Sequence, residues 1–182
     1  YHSLAGTKEQ WNADEYKDYI NSIAPDFDLV VLCLHKNDIE KGNWNFTSDR
    51  ETFLQIEGAD PHDKNTLYRM AQLFYQFEYV TTNGFGSHIP YASMFGAKVS
   101  VAGPAPQFTR GQKEQHLFYQ RVPELVDIHQ TWAETDFLKK QYPQFDCQPI
   151  DAQQHIDWAK WQLGVQHKKS ARDIMELFDW TI

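Results

Sequence analysis

Cysteine is nearly absent from this chain: Cys33 and Cys147 are the two in 182 residues. Two cysteines cannot make a disulfide framework, and Cys33 falls within an apolar run where it is expected to behave as a small buried hydrophobe. That fits a reducing, cytoplasmic setting. Long hydrophobic runs are missing too: no apolar stretch approaches the roughly 20 residues that span a bilayer, and no charged-then-apolar signal segment opens the chain. A soluble protein without a transmembrane segment is expected. Basic clusters are missing apart from His167-Lys168-Lys169, and 17 Lys and Arg against 25 Asp and Glu leave a net charge of −8. A surface that tracks the phosphates of DNA or RNA is therefore not expected.

Several motifs are missing as well. No Gly-x-Gly-x-x-Gly opens a helix, so a nicotinamide site has no support, and no P-loop is present. Phe85-Gly86-Ser87-His88-Ile89 lacks the second glycine of a Gly-x-Ser-x-Gly nucleophile elbow. Ser87 and His88 are not a catalytic pair on spacing alone, because adjacent helix residues point about 100° apart. Cys33 and His35 share a strand face, but without further ligands at suitable spacing no metal is expected. Asn45-Phe46-Thr47 matches a glycosylation sequon, a signal with meaning only in a secreted protein.

What is present suffices for one domain with a substantial core, since 41% of the residues are apolar and 15% aromatic. Residues 9 to 23 carry Trp11, Tyr16, Tyr19, Ile20 and Ile23 near a helical period, and Pro25 follows as a stop. Phe27 to His35 is a continuous apolar run, the pattern of a strand buried on both faces in a parallel sheet. Residues 37 to 49 are polar and turn-rich. Residues 52 to 56 alternate as a second strand closed by Gly58. Leu67, Met70, Ala71, Phe74 and Phe77 then mark an amphipathic helix.

A third strand is expected over Tyr79 to Thr82, a helix over Ser87 to Phe95 with Pro90 in its first turn and Gly96 as its stop, and a fourth strand over Lys98 to Ala102. Strand, strand, helix, strand, helix, strand with short connections predicts an α/β fold with a doubly wound, mostly parallel, Rossmann-like sheet over about residues 1 to 104. Additional helices are expected over about 110 to 182. Thr131-Trp132-Ala133-Glu134 reads as a capping box, Asp151 and Ser170 as N-caps, and Gly164 as the end of a helix that begins near Ala152. Trp158 and Trp161, three apart, read as packing residues.

Ligands of an open α/β sheet bind at the carboxyl ends of its strands. Thr82-Asn83-Gly84-Phe85-Gly86-Ser87-His88 occupies such an end, where Gly84 and Gly86 would let backbone approach an anion, and Ser87 would cap the helix or donate its hydroxyl. A phosphate is the natural guest. The plainer alternative is that Asn83-Gly84 is a tight turn and Ser87 an N-cap. His35, followed by Lys36, ends another strand and would face the same crevice.

The pattern resembles the C-terminal, donor-binding half of GT-B-fold glycosyltransferases of the bacterial capsular and surface-polysaccharide type. The residues that carry the resemblance are Asp28 to Lys36, Asn65 to Phe77, Thr81 to His88 with Tyr91-Ala92, and Gly96 to Val101. By position, His35 matches the histidine of the first family motif and Thr82, Asn83, Gly86 and Ser87 the phosphate-facing turn, with His88 beside it. Lys36 stands where the family has proline, and the paired serines of some members appear only as Asn83 with Ser87.

The resemblance implies a nucleotide-sugar donor as substrate, no cofactor, no obligatory metal, and His35 as a leaving-group acid or charge neutraliser. It also implies a saccharide acceptor held by an N-terminal domain, and a cytoplasmic place, peripheral to the inner membrane at most. The chain, which begins at Tyr1, is then expected to be a fragment of a two-domain enzyme and inactive alone. Two other expectations are a non-catalytic interaction or regulatory module of a polysaccharide-assembly system and a sugar-nucleotide epimerase of the same fold.

Overall fold

The computed structural model describes residues 13–40, 53–60, 62–105, 114, 117–128 and 135–180. The expected capping box at Thr131, the sequon at Asn45, Trp11 and most of the 37–49 segment lie outside them. Helix α1 (Ala13–Ile23) turns Ile20 into the core and runs into a 3-10 turn, Ala24–Asp26, that starts on Pro25. Proline has no N–H to give and a fixed φ, so it suits the first positions of a new turn. Strand β1 (Val30–Leu34) is followed directly by a short helix, α2 (Lys36–Glu40), where a polar loop was expected. Strand β2 (Phe53–Glu57), helix α3 (Thr66–Gln76), strand β3 (Tyr79–Thr82), helix α4 (His88–Met94) and strand β4 (Lys98–Val101) come next, close to the expected positions.

The strands are parallel, but among the described residues they form two pairs instead of one sheet: β1 with β2 from Val30↔Phe53 to Leu34↔Glu57, and β3 with β4 from Tyr79↔Lys98 to Thr82↔Val101. The fold is mixed α/β with short parallel sheets. Which strand is most buried also differs from expectation. Leu32 and Leu34 of β1 point inward, while Cys33, on the other face, is exposed, so it is not the buried small hydrophobe its apolar neighbours suggested. A run of apolar residues records what a strand can tolerate on both faces, and here its partner β2 has Leu54 half exposed and brings no cover for that second face.

Full burial falls to β4, whose Val99, Ser100 and Val101 are all buried. Val99 and Val101 join Phe74, Ile89, Ala92, Ala97 and Phe145 in the principal hydrophobic cluster, while Ser100 on the opposite face donates to Thr81 Oγ1 at 3.0 Å, or accepts from it. Burial on both sides of β4 follows from α4 on one side and the one-turn 3-10 segments Pro143–Phe145 and Pro149–Asp151 beside it. Gly96 has φ +89 just past α4, the left-handed turn that lets the chain reverse into β4.

Four more helices are described: α5 (Leu117–Arg121), α6 (Thr135–Gln141), α7 (Ile156–Gln162) and α8 (Ala171–Leu177). Asp151 does not cap a helix. Pro149 winds it into a 3-10 turn whose last carbonyl takes the Gln153 amide at 3.1 Å, and α7 begins only at Ile156. Gly164, at φ +66, follows the end of α7, and Ser170 caps α8 in a reciprocal box with Asp173. Trp158 packs its ring on Phe145, with centroids 4.8 Å apart. Trp161 is 68% exposed and does not belong to that packing, because α7 lies on α4 through the face of Ala159 and Trp158. No helix among the described residues is long and apolar enough to cross a membrane.

One residue inside the packing carries a polar atom with nothing to bond. Ser93 of α4 is 1% exposed and its hydroxyl has no hydrogen-bond partner among the described residues. A buried hydroxyl left unpaired costs about 1–3 kcal/mol of desolvation. Ser93→Ala is therefore expected to raise the urea midpoint, by about 1 kcal/mol of stability; a loss of similar size would show that the hydroxyl is paired after all.

Candidate functional site

The candidate residues fall at the ends of two strands. The rings of Phe27, ahead of β1, and Tyr79, at the start of β3, meet edge-on with centroids 5.3 Å apart, so the amino ends of the two strands lie together. Beyond that contact the strands border a cleft of about 680 Å³, lined by residues 28–34 on one side and 76–83 on the other, with α1 contributing Tyr16 and Ile20. It lies where β1 and β3 would pair if the four strands made one sheet. His35 follows the β1 wall and the turn from Gly84 follows the β3 wall, each directly past its last lining residue.

The turn is held from within. Thr82 is 5% exposed and Asn83 2%. Asn83 Nδ2 donates to the carbonyl of Pro104 at 2.9 Å, tying the turn to the chain beyond β4. Thr82 Oγ1 stands 3.2 Å from the Gly84 carbonyl and 3.2 Å from His88 Nε2, and its carbonyl accepts the Ala102 N–H at 2.9 Å. These two residues shape the turn and do not project into solvent as the expected phosphate contacts would.

The glycines also have explicable places. A Cβ on Gly86 would stand 2.8 Å from His88 Nδ1, so the room at that position is filled by the histidine ring folding back across the turn. Nothing lies within 4 Å of where a Cβ on Gly84 would be. Ser87 is exposed at the N-cap position of α4, with helical φ and ψ of −60° and −21° and no side-chain cap bond, so the expected capping role is not made. A capping serine needs an extended backbone to reach the N–H two or three residues on, and this one is already wound into the helix. Phe85 points back into the protein and meets Tyr142, with ring centroids 6.0 Å apart.

At the other strand end, His35 is half-buried and its carbonyl accepts the N–H groups of Asp38 at 2.9 Å and Ile39 at 3.2 Å. Lys36 Nζ is 2.8 Å from Asp60 Oδ2, past β2. That contact, with the His62 N–H on the same carboxylate at 2.9 Å, holds Asp60 below the usual carboxylate range, and the Lys36 ammonium is pushed up in turn. Arg69 of α3 donates to the carbonyls of Glu57, at 2.7 Å, and Gly58. Asp60 and Arg69 were not singled out from sequence. Asp60 follows a strand-ending glycine by two residues and was legible as a strand-end residue; Arg69 sits on the polar side of an amphipathic helix, where nothing in the pattern marks it.

Tyr16 of α1 lines the far side of the cleft, with Tyr19 beside it. Tyr19 donates to Gln148 Oε1 at 3.2 Å, and burial pushes its phenol up while a hydrogen bond with Thr81 pulls it down. Tyr16 stacks on Tyr19, and burial raises its pKa further, with the neighbouring phenol adding to the effect. Both stay neutral donors across the physiological range. Among the described residues no group of three or more His, Cys, Asp or Glu is placed to hold a metal ion. Comparison with family models, with curated proteins and with solved structures gave no match to this chain.

Proposed function

We propose that the chain is a donor-binding domain of a nucleotide-sugar-dependent glycosyltransferase of the GT-B type, with a saccharide acceptor bound by another domain. The observation that supports this reading is the pair of polar strand ends flanking one cleft: His35 after β1, and the glycine-bearing turn after β3 with Gly86 and Ser87 exposed. In this reading the two parallel pairs are the halves of a doubly wound sheet, and ligands of such sheets sit outside the carboxyl ends of the strands. Thr82 and Asn83 set the turn, while Gly86, Ser87 and His88 meet the phosphate. His35 would donate a proton to the leaving phosphate or neutralise its charge, so that negative charge is better stabilised in the transition state than in the ground state.

The test is a thermal-shift panel of UDP-, GDP- and CMP-linked sugars. A ligand present at 100 times its Kd stabilises by about 2.7 kcal/mol, a rise of several degrees. One sugar nucleotide is expected to give that rise, and His35→Ala and Ser87→Ala are each expected to weaken it about tenfold, near 1.4 kcal/mol. No shift with any of the panel at millimolar concentration sinks the reading for this chain.

A specific observation favours a second reading, a non-catalytic interaction module. The rings of Phe178 and Trp180 stack with centroids 5.3 Å apart while 59% and 62% exposed, and α8 has no buried residue. Exposed aromatic clusters of this kind mark protein contacts. Loss of binding to an assembly partner in a Phe178→Ala, Trp180→Ala double variant, with no sugar-nucleotide shift in the parent, would decide for it.

A further inference from the structure

The cleft between β1 and β3 has a chemistry that a phosphate does not match. Its described lining is mostly apolar and contains no Lys, Arg or His, while Asp26, Asp28 and Glu78 stand along it. An anion entering such a wall is desolvated at a cost of several kcal/mol, and the carboxylates along it repel it further, although Lys98 answers one of them, Glu78, at 2.7 Å. Asn83, 98% out of solvent, supplies the one further clue. Its Nδ2 is taken by the Pro104 carbonyl, which can only accept, so the orientation of the amide is fixed and Oδ1 is the polar atom that this lining residue has left to give. No hydrogen bond to that oxygen is made by the described residues. An amide oxygen accepts and cannot donate, so it selects a partner carrying an N–H or O–H.

We propose that this cleft is a binding site for an uncharged, elongated apolar ligand bearing one N–H or O–H donor, held by the walls of β1, β3 and α1 and by a hydrogen bond to Asn83 Oδ1. A volume of about 680 Å³ lies within the range of roughly 300–1,000 Å³ usual for small-molecule pockets, which are apolar with a few placed polar groups. The site is separate from the exposed face of the Gly86–His88 turn, and the proposal does not rest on the nucleotide-sugar reading.

The probe is 1-aminoanthracene, flat, apolar and neutral above pH 6, with an amine to donate and a fluorescence that rises out of water. A saturable rise at one probe per chain is expected, with displacement by 1-decanol and none by decyl phosphate or by UDP-glucose. Leu29, 45% exposed on the β1 side of the cleft, can be changed without disturbing the core. Leu29→Trp, which narrows the cleft, is expected to weaken the probe at least tenfold, and Leu29→Arg at least threefold, with the melting temperature kept. The proposal is overturned by the absence of a saturable signal up to the solubility of the probe. It is equally overturned by decyl phosphate competing as well as decanol, by displacement with UDP-glucose, or by unchanged affinity in both Leu29 variants. Failure of the sugar-nucleotide panel leaves all of these readouts standing, so the two proposals fail separately.

Discussion

Phe145→Ala is expected to destabilise the protein by about 3–5 kcal/mol, the range for emptying a fully buried aromatic site. Phe145 has no exposed surface and sits edge-on to Trp158 and His155, at centroid distances of 4.8 and 5.2 Å. It shares one cluster with Val99 and Val101 of β4 and with Ile89 and Ala92 of α4. Its removal therefore opens a cavity between the strand layer and the helical region, and neither side can collapse on it without moving a packed aromatic ring. Against a total stability of about 5–15 kcal/mol for a domain, that is about a fifth of the whole or more. Urea titration followed by tryptophan fluorescence and by far-UV circular dichroism should show the two transitions coinciding at a lower midpoint. If the fluorescence transition moved alone, the helical region would be a separate cooperative unit. Trp161→Ala, at a site 68% exposed, is the matched comparison and should change stability by less than about 0.5 kcal/mol.

Gly103→Ala is the second large effect, through a different mechanism. Gly103 has φ +84, and a Cβ there would stand 2.6 Å from Tyr19 Cδ1, 2.8 Å from Tyr19 Cε1 and 3.0 Å from Tyr16 Cε2. The left-handed backbone costs a residue with a Cβ about 1–2 kcal/mol, and crowding a packed site adds about 1–3 kcal/mol. The tyrosines cannot step aside freely, because they stack on each other and Tyr19 is tied to Gln148. Displacing α1 also disturbs the neighbouring Pro104, whose carbonyl holds Asn83. A fall of about 2–5 kcal/mol in the urea-derived stability is expected, with an unchanged slope. Gly84→Ala supplies the contrast: φ there is not positive and the site is open, so stability should hold or rise slightly as the unfolded chain loses freedom. Equal losses at both glycines would refute the steric argument.

The geometry divides the residues of the turn after β3. Asn83 and Thr82 are engaged inward, and the open positions are Gly86 and Ser87, with His88 laid across the turn. Of the plainer alternative, the N-cap bond of Ser87 is not made, while Thr82 and Asn83 are held by bonds to Gly84 and Pro104. A phosphate contact, if made, falls to fewer groups than their sequence spacing suggested.

Local order was legible in the chain. The periodicity of Met70, Ala71 and Phe74 marked α3, the β-branched runs marked β3 and β4, and Ser170 with Asp173 wrote its own cap, because each of these depends on neighbours within a turn or a strand. What depended on distant residues was not legible. The exposure of Cys33, the full burial of Ser100, the outward Trp161 and the failure of Ser87 to cap were each decided by what lies against that position in space. The same holds for the split between β1 and β3. Hydrophobic pattern says that a strand has a face to cover; only the packing of α1 and of residues 143–151 decides which face is covered and where a cleft is left. The sequence by itself determined an acidic α/β chain with parallel strands and a polar, glycine-bearing strand end. The tertiary structure alone decided that the Asn83 amide holds the Pro104 carbonyl, since the partner of a buried amide lies 21 residues away in the chain.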